Sequence, residues 1–487
     1  MLSREEIIKI YHQGPEAVVA LVMGLFDIIE RQQIQIDQLT VRVKELEDRL
    51  AQNSQNSSRP PSSDAPVRRT KSMRRPGGKK AGGQQGHEGK TLKAHPNPNQ
   101  IQLHSPQSCG ECGQNLEDVN GTENEERRQV FDLPPLNLEV IEHRTVRKIC
   151  PCCGNLNSGA FPPNITPGVQ YGHNLKALAV YLINYQLIPW QRTCELISDL
   201  IGQTIAEGTL ASVLADCSMN LEQTEQEIKQ AITEAKVGNF DESGFYVAGR
   251  RQWVHVASTE LLTHYGPHPK RGAEAIDEIG ILPAFSGRAM HDHFRPYFNY
   301  PCDHGLCNAH HLRELTFIYE QKHQAWAGDM KQLLIDIKKA VDRAEAAGAR
   351  ALPLPEQRKF RRAYNRHLAR GFQLPENQQQ TRKGKRGPIK QNKAKNLLDR
   401  LSQNKQETLA FMADFDIPFD NNQAERDIRM LKVQQKISGC FRTEQGAKNF
   451  CRIRGYISTV KKQGLDVLSA IKSVLAGQPL SPIPVRG

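Results

Sequence analysis

No apolar run in this chain of 487 residues approaches the ~20 consecutive residues a helix needs to cross a bilayer. A helical membrane protein is thereby excluded. The N-terminus, MLSREEIIK, carries acids among its charges and lacks the apolar core and cleavage site of a secretory signal, so cytoplasmic residence is expected. A disulfide framework is missing too: the eleven cysteines are an odd count, most of them isolated or in CxxC pairs. In a reducing compartment that pattern favours metal ligands and buried thiols. Acid is in deficit, with 53 Asp and Glu against 65 Lys and Arg, a net charge of +12 and a pI near 9.1. The balance points to a polyanionic partner, nucleic acid ahead of membrane. At about 100–200 residues per domain, the length predicts roughly two to four domains and ample core.

What is present falls into blocks. Residues 1–51 are expected to hold a coiled-coil helix: Leu25, Ile28, Ile29, Ile36, Leu39, Val43, Leu46 and Leu50 step by threes and fours, with Gln32 at one core position. At about three to four heptads, such a stripe predicts a homodimer or higher oligomer. Residues 52–100 read as a linker rich in Ser, Pro and Gly. It is basic through Arg68, Arg69, Lys71, Arg74, Arg75, Lys79 and Lys80, a composition able to track phosphates without reading bases.

Residues 101–165 predict a zinc-ribbon-like DNA-binding module. Cys109 and Cys112 in SCGECG, and Cys150 and Cys153 in ICPCCG, have the spacing of two zinc knuckles, with Cys152 the odd thiol. Gly113 and Gly154 let the backbone turn its amides toward the sulfurs. The intervening RRQVFDLPPLNLEVIEHRTVRKI alternates like two strands, and one structural Zn²⁺ is expected to hold this small module together.

Residues 166–236 predict helices interrupted at Pro189, with a second helix from about Glu207 to Ala235. IGQTIAEGTLASVLADC has helix-turn-helix character, Gly208 lying near its turn, although plain helical packing explains it equally well. From residue 237 the pattern turns to strands. Asp241 is read at the end of a strand Val237–Phe240, and Asp292 follows a second strand-like stretch between His291 and His293. Residues 237–303 are assigned to the first part of a catalytic core, 304–415 to a helical insertion, and 416–487 to the rest of the core and a tail.

Near the C-terminus, FDNNQAERDIRM reads as a loop running into a helix, with Asp420, Asn421 and Asn422 all suited to capping it. On that helix Glu425 shares a face with Arg429 and Lys432. Alone, this is an ordinary ion-paired surface. With Asp241 and Asp292 it becomes a set of three carboxylates able to hold two hard cations, Mg²⁺ by preference, about 3.5–4 Å apart for an in-line displacement. Arg426, Arg429 and Lys432, together with Arg382, Lys383, Lys385 and Arg386 in the loop TRKGKRGPIKQNKAK, are candidate DNA contacts, as is the run RKFRRAYNRHLAR. Cys302, Cys307 and His310 in PCDHGLCNAHHLREL invite a second metal site, but without a clear second pair a structural role near the site is preferred; His311 and Arg313 are further DNA-contact candidates.

Taken together, the zipper, NSSRPPSSD, the paired CxxC unit, FDESGF, MHDHFRPY, LCNAHHLREL, FDNNQAERDIRM and KISGCFRTEQGAKNFCRIRGYISTVKKQG resemble the insertion-sequence-66 family of DDE transposases over nearly the whole chain. The resemblance implies an α/β fold with a ribonuclease H-like catalytic core and helical insertion, preceded by the coiled coil, the zinc-ribbon-like module and the helical domain. It implies Asp241 on the first strand, Asp292 just past a later one and Glu425 on a helix, all holding Mg²⁺. It further implies cleavage of DNA at element ends, strand transfer to a target, and a bacterial-type, nucleoid-associated setting. Many members carry Thr where Ser243 stands, and some depend on accessory proteins from the same element. Two other readings compete: a zinc-ribbon DNA-binding regulator with an inert core, and a related nuclease without strand transfer.

Overall fold

The computed structural model describes residues 3–53, 55–57, 92–120, 126–134, 136–165, 168–378 and 392–481. The linker cations from Arg68 to Lys80, and the candidate DNA contacts Arg382, Lys383, Lys385 and Arg386, lie outside the described residues. No described helix is long and apolar enough to cross a membrane.

The chain forms two compact units, and the smaller comprises 72–168 and 194–205. At the N-terminus, α1 (Arg4–His12) starts at a reciprocal cap in which Ser3 and Glu6 each accept the other's backbone N–H. Gly14, at φ 106°, and Pro15 then open α2 (Pro15–Leu50). The apolar residues of the zipper pattern, from Leu25 to Leu50, stand exposed along this helix.

In the smaller unit, β1 (Arg147–Ile149) and β2 (Leu156–Ser158) pair antiparallel around the second CxxC turn. The two strands expected across 127–149 are thus corrected. Among the described residues of that stretch only the last three are strand, and the partner lies beyond the cysteines. Alternation over exposed residues, without a face to bury, does not create a ladder.

In the larger unit, α3 (His173–Val180) runs into a π-helical turn before Pro189; α4 (Trp190–Ile201) follows in the chain, most of it counted in the smaller unit. The next turn belongs to Gly202, at φ 69°, while Gly208 lies inside the first turn of α5 (Glu207–Asn220). Gly208 thus lies near the turn, as expected, but inside the helix that follows it. The helix expected from 207 to 235 is two, because Leu221 separates α5 from α6 (Glu222–Thr233).

A mixed sheet follows, built from β3 (Val237–Val247), β4 (Arg250–Ser258) and β5 (Thr263–His268), then α7 (Ala273–Ile279), β6 (Arg288–His291) and β7 (Asp303–Leu306). Its order is β5-β4-β3-β6-β7, with the first three strands antiparallel and β3, β6 and β7 parallel. The hairpin between β3 and β4 turns at Ala248 and Gly249, both at positive φ. Asp241 therefore sits within β3, paired with Val256, and does not end the strand. The sequence ESGFYV keeps alternating after the acid, so nothing there breaks the ladder. His304–Leu306, assigned to the insertion, belong instead to β7 at the sheet's parallel edge.

The helical insertion contains α8 (Asn308–Lys322), α9 (Ala325–Ala346), α10 (Leu354–Gln373), α11 (Pro375–Gln378), α12 (Lys393–Gln403) and α13 (Lys405–Thr408). These helices bury their own core around Leu315, Trp326, Leu334, Tyr364 and Leu398, with Met290 of β6 joining it. The chain then returns as α14 (Asn422–Ser438), α15 (Glu444–Lys462) and α16 (Val467–Leu475).

Period-two alternation decides which face of the sheet meets which helices. Phe245, Val247, Val254 and Val256 pack with Ala424, Ile428 and Leu431 of α14 and Phe450 of α15. Phe240 and Ala257 point the other way, toward Ile232 and Ile276. Asp241, in step with Phe245 and Val247, thus faces the α14 side.

Candidate active site

Two carboxylates are brought together by strand register. The last parallel pair between β3 and β6 is Asn239 with Met290; Asp241 lies two residues further along β3, and Asp292 directly follows His291, the last residue of β6. The backbone N–H of Glu242 donates to Asp241 at 2.8 Å, and that of Phe294 donates to Asp292 at 2.8 Å. Burial pushes the Asp241 carboxyl well above the usual carboxylate range, and repulsion from Glu242, Asp292 and Glu425 adds to the rise. Asp241 is thus within electrostatic reach of both Asp292 and Glu425.

Glu425 is set by a chain of cross-links. The Asn421 side-chain amide donates to the Phe240 carbonyl at 2.8 Å, and its backbone N–H donates to Cys307 Sγ at 3.2 Å. Asn308 N–H donates to the Phe419 carbonyl at 3.1 Å, so the start of α14 is tied both to the strand of Asp241 and to the start of α8. The cap falls on one of the three expected residues, but without the expected bond. Asn421 occupies the cap position without a side-chain cap bond, while Asp420 accepts the Asn422 N–H at 3.1 Å. Reaching across to β3 takes the Asn421 amide away from its own helix. Behind Glu425, Asp427 takes Lys462 at 2.9 Å and its carbonyl accepts the Tyr265 hydroxyl at 2.8 Å, anchoring α14 to α15 and β5.

Glu425 is three-quarters buried and leans toward His310 Nδ1 at 3.7 Å and Arg313 at 3.5 Å, neither of them a hydrogen bond. Glu425 Oε1, His310 Nδ1 and Arg313 Nε are all buried without a hydrogen-bond partner. Such orphaned atoms are costly unless something else satisfies them. Carboxylate oxygens of this kind fit a cation, the chemistry expected of the acid set. Burial presses the His310 imidazole down to about 4, with Arg313 adding to the effect. His311, a candidate DNA contact, is fully buried instead, bonded to Asn308 and to His293.

The cation stripe is also revised. Arg426 and Arg429 are exposed, but Lys432 is half-buried and donates to the Gly244 carbonyl of β3, which removes it from the free face. Beside the acids lies a cleft of about 480 Å³ lined by Asp292 and His310 and by the cations Arg271, Arg313, Lys393 and Arg400. Arg271 is held there by Glu242, which accepts its guanidinium at 2.6 and 2.9 Å and the Tyr297 hydroxyl at 2.6 Å. The guanidinium also lies over Phe294 at 4.2 Å and Trp253 at 4.9 Å. Glu242 and Arg271 were not singled out from sequence. The only available signal was the doubled acid in FDESG.

In the smaller unit the two knuckles have one geometry. Gly113 N–H donates to the Cys109 carbonyl at 3.0 Å and Gly154 N–H to the Cys150 carbonyl at 2.9 Å, with both glycines at positive φ. Amides of Cys112 and Glu111 lower the Cys109 thiol, and amides of Cys153 and Cys152 lower that of Cys150. That is the environment a thiolate ligand requires.

Residues 168–449 match the Transposase IS66 family, more than half of the chain. The chain belongs to that family. Residues 106–154, spanning all four knuckle cysteines, match the zinc-finger binding domain of transposase IS66, and residues 15–93 match a family of unknown function (DUF6444). No curated protein matches the chain. As an IS66-family transposase with a zinc-finger domain, the protein is one that handles DNA, as its excess of positive charge foreshadowed.

Proposed function

We propose that this transposase cleaves the ends of its own insertion element and joins them to target DNA by a DDE two-metal mechanism, on a ribonuclease H-like core. Asp241, Asp292 and Glu425 would hold two Mg²⁺ ions. The observation that carries the reading is the crowding of acids from separate elements: Asp241 within β3 feels both Asp292, just past the end of the parallel strand β6, and Glu425 of α14. The repulsion at Asp241 and the orphaned Glu425 oxygen support it, since cations would relieve both. Bound ions supply a polarised attacking oxygen and a stabilised leaving oxygen.

The chain's own residues do the rest. Arg271, Arg313, Lys393 and Arg400 line the cleft and suit the phosphodiester of a strand laid against Asp292. Arg426 and Arg429 extend that surface along α14, and Arg358, Lys359, Arg362 and Arg366 offer exposed cations along α10. Cys109, Cys112, Cys150 and Cys153 would hold one structural Zn²⁺ in a module spanning 101–165. The exposed stripe of α2 supports a coiled-coil homodimer.

The test is Glu425→Gln assayed on DNA carrying the inverted repeats that flank the gene, with Mg²⁺. Cleavage and strand-transfer products from the wild type, and none from the variant, are expected. Undiminished cleavage by the variant removes Glu425 from the mechanism. Specific binding without cleavage by the wild type favours a regulator, and cleavage without joining favours a nuclease.

A further inference from the structure

Cys307 Sγ, a nitrogen of His310 and an oxygen of Glu425 all lie within 4.8 Å of one another, forming a tight cluster of potential metal ligands among the described residues. Asp241 and Asp292 stand outside it. Cys307 caps α8 and His310 lies in its first turn, so both donors come from one rigid element, and Glu425 reaches them from α14. His310 Nδ1 and Glu425 Oε1 are buried without hydrogen-bond partners, and Cys307 receives a backbone N–H from Asn421, a bond of the kind that supports a metal-bound sulfur.

The donor set differs in kind from the neighbouring acids. Sulfur, imidazole and one carboxylate select a borderline-soft cation, whereas Mg²⁺ takes oxygen donors. From this geometry we infer that Cys307, His310 and Glu425 form a second cation site, for Zn²⁺ or a similar ion, which competes with the Asp241 and Asp292 side for the shared Glu425. The thiol gives up its proton as the sulfur binds, and Arg313 yields its place beside Glu425 to the cation. Three protein donors leave a fourth position for water or a phosphate oxygen. The inference shares Glu425 with the proposed catalytic reading but does not require cleavage, so the two fail separately.

The experiment is Co²⁺ loading of metal-stripped full-length protein, following bound cobalt and sulfur-to-cobalt charge-transfer absorption. Cys307→Ser and His310→Gln are each expected to lose one equivalent of cobalt while keeping the absorption of the four-cysteine module. Asp241→Asn is expected to lose neither. Because Cys307 is buried, circular dichroism accompanies each variant, and the partly exposed His310→Gln carries the test if Cys307→Ser misfolds. A folded His310→Gln with undiminished cobalt overturns the site. Loss of the same cobalt in Asp241→Asn also overturns it, by merging it with the acid set. Cobalt bound through Cys307 in a chain that cleaves no DNA would keep this site while removing the catalytic proposal.

Discussion

The zinc-finger unit and the acid site each gather side chains of the types that ligate metals, but over very different lengths of chain. Each knuckle closes within six residues, its glycine placing two amides on the first cysteine. The acid site draws on β3, the end of β6 and α14, and its defining bonds join Asn421 to Phe240 and to Cys307, 181 and 114 residues away. The first kind of site is written in local turn chemistry. The second exists only once the sheet and two helices have packed.

The largest effect that would sharpen this contrast is at Cys150. Cys150→Ser should remove the zinc of the four-cysteine module, about one equivalent per chain, and limited proteolysis should then cut first within 101–165. The sheet-containing unit should keep its thermal midpoint. Asp241→Asn should leave zinc content untouched and reduce cleavage at least about a hundredfold, because ion-assisted charge stabilisation is worth several kcal/mol and each ~1.4 kcal/mol is tenfold. Loss of the module's zinc with full cleavage in the first variant would separate the two regions completely.

Glu242→Gln tests how far the acid site depends on its surroundings. Arg271 is partly exposed, so breaking its pair with the buried Glu242 should cost about 1–3 kcal/mol, read as a lower urea midpoint. The smallest effect is a pH slope. Burial and neighbouring acids hold the folded Asp241 carboxyl above its unfolded value, so between those two values the folded state binds more protons. Metal-free protein should therefore lose stability as pH rises through that window, by at most about 1.4 kcal/mol per pH unit. Urea midpoints of chelated protein should show the slope, and Asp241→Asn or added Mg²⁺ should flatten it. A rising slope would contradict the crowding of the acids.

How much was legible follows the same division. The knuckles, the long N-terminal helix and the residues Asp241, Asp292 and Glu425 could all be picked out by residue type and spacing. The length of β3 could not, because the alternation continues through Asp241 and only the hairpin at Ala248 and Gly249 ends it. Nor could the fate of Lys432 or Asn421. Each has an ordinary surface or capping role available locally, and each is taken by β3 across the fold.

By itself, the sequence determined the donor types, the two cysteine turns and the sign of the charge, because these depend on side-chain chemistry and on contacts a few residues apart. Only the tertiary structure decided that Asp241 faces α14, that Glu242 holds Arg271 over the cleft, and that Glu425 meets Cys307 and His310. Those meetings depend on strand register and on helix packing over a shared core, which no short stretch of sequence encodes.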